Sequence, residues 1–152
     1  AIMAENAEIL QITTKDFFDK YFDVLMSIAG RTNTELLPEN ISSFEMLDNR
    51  YLLKIRRADT LVYCTGKAFS DCQNKTKKPY KTILVDCYLN DMTNLEVAKK
   101  VGYSRSRFGT LKQEALAEFT QRFNYWIQNQ KFSPLVQLMS QKSNMQKSLG
   151  VD

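Results

Sequence analysis

Residues 94–119 read NLEVAKKVGYSRSRFGTLKQEALAEF. Thr93 precedes this run and Glu96 stands three residues later, a reciprocal capping box that predicts a helix start. The helix should end near Val101, because Gly102 can take the positive φ of a tight interhelical turn. Ser104 is then the cap of a longer helix, predicted to reach about Gln128. Ala98 is small enough to let the two helices approach, with Gly102 four residues on. Phe108 and Leu111 anchor the second helix, and Leu95 and Val101 complete a small core. Helix, small residue, glycine turn and apolar anchors in this spacing predict a helix-turn-helix.

At about 100° per residue, Phe108, Leu111 and Ala115 fall on one side of the second helix. Ser106, Gly109, Thr110 and Gln113 fall opposite, flanked by Arg105 and Arg107. This outward face carries short polar groups, an amide and two guanidinium forks. Gln113 can bind adenine bidentately, and Arg105 or Arg107 can pair with guanine or with phosphate. The base-reading candidates are Ser104, Arg105, Ser106, Arg107, Gly109, Thr110 and Gln113, and the partner they imply is double-stranded DNA. Gly109 is disfavoured against Ala by roughly 1 kcal/mol inside a helix. Either a ligand approaches the backbone there, or the glycine relieves crowding beside Phe108. Candidates for phosphate contact are Lys99, Lys100 and Lys112, with Lys75, Lys77 and Lys78 of the preceding segment.

Upstream, Asn74 to Pro79 reads as a basic connector, with Pro79 suited to a first helical position. Tyr80, Ile83, Leu84, Cys87 and Tyr88 follow with helical spacing, so a helix over 79–90 buries one face and makes Cys87 a core thiol. Further back, Thr14 precedes Phe17, Phe18, Tyr21, Phe22, Val24, Leu25 and Ile28, and Gly30 follows. That pattern predicts a helix over 15–29 whose aromatic stripe is core. Between them, Ser42 and Glu45 have capping-box spacing. Apolar or small residues then recur at 44, 47, 51, 55, 58, 62, 65, 69 and 72. The near-heptad spacing predicts one long helix, packed on helix 15–29 or against its own copy in a homodimer. Arg50, Lys54, Arg56, Arg57 and Lys67 form its solvated face.

The expected class is therefore all-α. Residues 1–74 form an N-terminal helical region for oligomerisation or polymerase contact, and 75–130 the helix-turn-helix domain. Residues 131–152 are a weakly helical or flexible tail, starting with a weak helix from Ser133-Pro134 through Leu135, Val136, Leu138 and Met139. Tyr125, Trp126 and Phe132 read as core or dimer contacts.

Composition narrows the function classes. The chain has 152 residues, 43% of them hydrophobic and 25% charged, enough for one domain or a small domain with an appendage. No apolar stretch is long enough to span a membrane. Residues 1–10 carry Glu5 and Glu8 without an apolar run, so no secretory signal is expected. With no His, the usual serine triad and most zinc catalysis are missing. Cys64, Cys72 and Cys87 are odd in number and contain no CxxC, which points to reduced thiols in a cytoplasmic protein. No phosphate loop or carboxylate cluster suggests an enzyme, and no cofactor or metal is expected. Residues 1–49 hold nine acids and three bases, a net of −6, whereas the remainder holds 18 bases and 8 acids, a net of +10. An acidic front half thus precedes a back half suited to a polyanion.

Tyr80-Lys81-Thr82-Ile83-Leu84, Tyr88-Leu89 and the run from Asn94 to Phe119 together resemble the ArpU-type phage transcriptional regulators, near the RinA-type late activators. The carrying features are Gly102-Tyr103-Ser104 entering the second helix and Leu111-Lys112-Gln113-Glu114-Ala115-Leu116 leading to Phe119. This half is also similar to region four of sigma factors. The resemblance covers about residues 79 to 122. It implies a bacteriophage or prophage regulator of late genes in a Gram-positive bacterial host, with Ser104 to Glu118 as recognition helix. Bacterial RNA polymerase is the candidate partner of the acidic front half. Two other classes compete: a small-terminase-like ring on packaging-site DNA, favoured by the stripe over 44–72, and a protein-interaction module of the anti-repressor kind.

Overall fold

Thr13 opens the first helical run, its hydroxyl accepting the Asp16 N–H. In the computed structural model, which describes residues 10–130 and 136–140, this run (α1) comprises α-helical Thr14–Asp16, a π turn Phe17–Tyr21 and α-helical Phe22–Ala29. An i→i+5 turn advances each residue through a smaller angle than an α-helix does. Adjacent Phe17 and Phe18 can therefore both face inwards with Phe22, and all three are buried. Tyr21 and Val24, expected on the same stripe, are exposed instead. Gly30 ends the helix at φ +71°, as its position predicts.

The long helix expected over 44–72 is shorter. The helix here, α2, spans Leu53–Asp71, and the chain before it folds as 3-10 turns Asn33–Leu36 and Ile41–Ser43 followed by irregular backbone. Two interactions keep that backbone from joining α2. Asp48 accepts the Arg50 N–H at 3.0 Å, a side-chain turn that competes with helix. Leu47 N–H meanwhile donates to Asp59 Oδ2 at 2.9 Å, drawing the segment across α2. The capping box expected at Ser42 and Glu45 does not form. Its counterpart lies upstream, where the Thr32 N–H donates to Glu35 at 2.9 Å.

Asp59 is the centre of this region. The Arg31 guanidinium grips its carboxylate with Nε at 2.7 Å and a second nitrogen at 3.2 Å. Arg31 also donates to Glu35 at 2.9 Å and to the Glu45 carbonyl at 2.6 Å, and lies 3.9 Å over the Phe44 ring. One buried carboxylate and one guanidinium thus fasten the irregular segment to the bundle.

The remaining helices follow the sequence closely. α3 spans Tyr80–Tyr88 with Pro79 at its cap, α4 Asn94–Val101 and α5 Arg105–Gln128. Cys87 departs from its expected core position. It is half-buried, its thiol directed to Asn94 Oδ1 at 3.7 Å, because α3 turns Val85 and Asp86 inwards instead. Burial pushes the Cys64 and Cys72 thiols up to about 12.

One expectation fails in kind. Val136–Met139 is not helical but a strand, β2, paired in parallel with Leu10–Thr13 (β1) in the register Leu10↔Val136 to Thr13↔Met139. Asn124 on α5 completes β2: its amide donates to the Leu138 carbonyl and accepts the Leu138 N–H, both at 2.9 Å. Alternating burial of Val136 and Leu138 supplies the period-2 signal that a short apolar run conceals. Among the described residues the fold is thus mostly helical, with one small sheet. Expectations for residues 1–9, 131–135 (Phe132 included) and 141–152 lie outside the described residues.

The helices share one core. Phe17, Phe18, Phe69, Phe119 and Phe123 stack between α1, α2 and α5. Thr14 and Thr120 hydroxyls hydrogen-bond at its edge. Trp126 packs half-buried against the core, donating to Asp71 at 2.6 Å with Lys67 over its ring, whereas Tyr125 is exposed. Among the described residues no helix is long and apolar enough to cross a membrane.

Candidate nucleic-acid interface

Thr93 and Glu96 form the predicted capping box, each side chain bonding the other's backbone N–H at 3.1 and 2.8 Å. The Thr93 backbone N–H holds the Glu96 carboxyl below the usual carboxylate range. Gly102 takes φ +82° and receives the end of α4, and three residues, Gly102 to Ser104, join α4 to α5. Ser104 accepts the Arg107 N–H at 3.2 Å, so its hydroxyl serves the helix start.

The small core differs from the expected one at a single position. Ala98, Phe108 and Leu111 are buried and Val101 is half-buried, but Leu95 is 49% exposed and Val97 is fully buried in its place. With Val97, Ala98 and Val101 all turned inward, a helix advancing about 100° per residue carries position 95 to the outer side.

The outward face of α5 is where the wheel places it. Ser104, Arg105, Ser106, Arg107, Gly109, Thr110 and Gln113 are all exposed. A Cβ built on Gly109 meets no atom within 4 Å beyond its chain neighbours and its own helix backbone, so no other element crowds this glycine. Gly109→Ala should therefore raise stability by up to about 1 kcal/mol in urea unfolding. A lower midpoint would show that the glycine relieves crowding beside Phe108.

The phosphate candidates divide into groups. Lys75 and Lys78 pair their backbones in a tight turn at 3.0 and 2.9 Å, with Lys77 exposed between them. The connector is fastened to α5 at several points. Gln73 bonds Glu118 through its backbone and side chain at 2.6 and 2.7 Å, and Tyr80 donates to Glu114 at 2.7 Å. Tyr103, just before the α5 cap, donates to the Thr76 carbonyl at 3.1 Å. Three lysines are thus held beside the start of the outward face. Burial, then the Glu114 bond, pushes the Tyr80 phenol up to about 12, so it stays a donor at neutral pH. Lys99 is exposed on the last turn of α4.

The other two lysines have structural partners. Lys100 pairs with buried Asp86 at 2.7 Å, tying α4 to α3. Lys112 donates to Asn94 Oδ1 at 3.0 Å and lies 5.2 Å from the Tyr88 ring centre.

A cleft of about 540 Å³ opens beside this face, lined by Arg105, Gly109, Lys112 and Gln113 of α5. Ala98, Phe108 and Leu116 add apolar lining, and Tyr88, Asn94 and Leu95 line it together with Lys15 and Asp19 of α1. Lys15, Asp19, Tyr88 and Asn94 carry no sequence signal for this role. They come from three other elements, and only the packing of α1 and α3 against α5 brings them there. Among the described residues no group of three or more His, Cys, Asp or Glu is placed to hold a metal ion. Compared with protein families, curated proteins and solved structures, the chain matches none.

Proposed function

We propose that this chain is a sequence-specific double-stranded DNA-binding regulator of transcription, reading the major groove through a helix-turn-helix with residues 104–118. The observation that carries the reading is the outward face of α5. Its guanidinium forks, amide and small polar residues stand exposed on a helix anchored along its other side by Phe108, Leu111 and Ala115. The connector lysines stand beside the helix start, where phosphates flanking a bound base step would lie. Resemblance to ArpU-type regulators adds the setting, late genes of a phage or prophage, with bacterial RNA polymerase as the partner of the acidic front half.

The packaging reading drew on a continuous stripe over 44–72. That stripe is interrupted before Leu53, and its α2 part is largely buried within the chain, so this support is lost.

The test is selection from a random duplex pool, followed by fluorescence-polarisation titration of the selected and scrambled duplexes at two salt concentrations. The expected result is a preference of roughly a hundredfold or more for the selected duplex. Affinity for both should fall steeply as salt rises. Equal, weak binding to both would overturn sequence-specific reading and turn attention to a protein partner.

A further inference from the structure

The cleft beside α5 has features that base reading does not require. Its volume of about 540 Å³ is that of a small-molecule site. Ala98, Phe108 and Leu116 give it apolar lining, and the Tyr88 ring, stacked on Phe18 at 4.0 Å, adds a rigid aromatic group to that lining. Gly109 lines it without a side chain, and a Cβ there would meet no atom of another element within 4 Å.

Its charge is one-sided. The lining carries Lys15, Arg105 and Lys112 against Asp19, and Asp19 is already paired with Lys15 at 2.6 Å. Among the described residues no carboxylate ion-pairs with Arg105 or Lys112. Lys112 is held in place by the Asn94 oxygen and the Tyr88 ring, so its ammonium is positioned before any ligand arrives. Apolar and aromatic lining, a positioned ammonium at Lys112 and the Arg105 guanidinium, neither of them paired with a carboxylate, suit one chemical class.

We propose that this cleft binds a small aromatic organic anion, its ring against Tyr88 and the apolar lining residues and its carboxylate or sulfonate met by Lys112 and Arg105. Arg105, Gly109 and Gln113 belong both to the cleft and to the face proposed to read bases, so an occupant excludes DNA. This second step rests on the DNA-binding reading, whereas the site itself does not.

The full chain is titrated with 8-anilinonaphthalene-1-sulfonate and with uncharged N-phenyl-1-naphthylamine, and the bound dye is located by backbone amide shifts. One sulfonate per chain is expected, perturbing Gly109 and Asn94 and binding about tenfold or more tighter than the uncharged dye. Gly109→Phe, which fills the cleft, should weaken the sulfonate about tenfold or more. Lys112→Gln combined with Arg105→Gln, changes at half-buried and exposed positions, should remove the preference for the charged dye. Sulfonate affinity unchanged in Gly109→Phe, or shifts centred on the exposed apolar residues Tyr51 to Leu53, would overturn the site. If Gly109→Phe does not fold, a charge preference retained in the Lys112→Gln, Arg105→Gln double variant overturns it. Saturating sulfonate should also weaken the selected duplex. Dye and duplex bound together without mutual effect would overturn the exclusion step alone. Dye bound in the cleft with no duplex selected would overturn the DNA reading and leave the site standing.

Discussion

Asp59→Ala should lower the unfolding free energy by about 3 kcal/mol in urea denaturation, the low end of the cost of stripping one partner from a buried ion pair. The low end applies because Arg31 keeps some compensation. Glu35 remains at 2.9 Å, the Glu45 carbonyl at 2.6 Å and the Phe44 face at 3.9 Å. Leu47 N–H loses its acceptor at the same time. Arg31→Ala should cost at least as much, since it leaves a carboxylate with 1% side-chain exposure facing one backbone N–H.

The double variant Arg31→Ala with Asp59→Ala should cost clearly less than the two singles added, because each single variant leaves the other charge stranded. With total stability commonly about 5–15 kcal/mol, either single variant removes a sizeable part of the fold's margin. If both cost under about 1 kcal/mol, the clasp has only the weight of a surface pair, and the course of residues 31–52 needs another cause. Proteolytic cleavage between 44 and 52 gives a local readout, and it should quicken in both variants.

Alanine at Arg105, Arg107 and Gln113 together should abolish sequence preference. Each bidentate base contact discriminates by about 1–3 kcal/mol, so three lost contacts should reduce affinity for the selected duplex by roughly a hundredfold or more. Scrambled duplex should weaken far less, through the loss of two charges. All three residues are exposed, and unfolding should shift by no more than about 0.5 kcal/mol per site. Unchanged discrimination would mean that another surface reads the bases.

The lysines provide an internal contrast. Lys77→Ala and Lys99→Ala should weaken all duplexes alike and lower the salt slope by about one each. Lys100→Ala should instead destabilise the fold, because Asp86, its partner at 2.7 Å, is only 4% exposed. A purely electrostatic role at Lys100 would leave unfolding unchanged.

What the sequence determined by itself is local and periodic. Thr93, Glu96, Gly102 and Ser104 act on groups within a few residues, so the helix boundaries and the turn at 94–105 were legible without tertiary contacts. The exposed set from Ser104 to Gln113 was equally legible, since a helix anchored at Phe108 and Leu111 leaves only one side outward. Asp48 also carried a local signal, because Asp-Asn before Arg50 is turn chemistry that the apolar stripe obscured.

Only the tertiary structure decided the rest. Whether Phe44 and Leu47 extend a helix or cross it depends on Arg31 and Asp59, which lie 28 residues apart and pair only once α1 and α2 are packed. The fate of Val136 to Met139 depends on Leu10 to Thr13 at the other end of the chain, and four residues have too little periodicity to tell strand from helix. The cleft arises in the same way, because Lys15, Tyr88 and Asn94 become neighbours of Lys112 through packing alone. Hydrogen bonds within one helical turn are encoded where they form, whereas a clasp, a parallel strand pair and a cleft are encoded by residues that no local pattern joins.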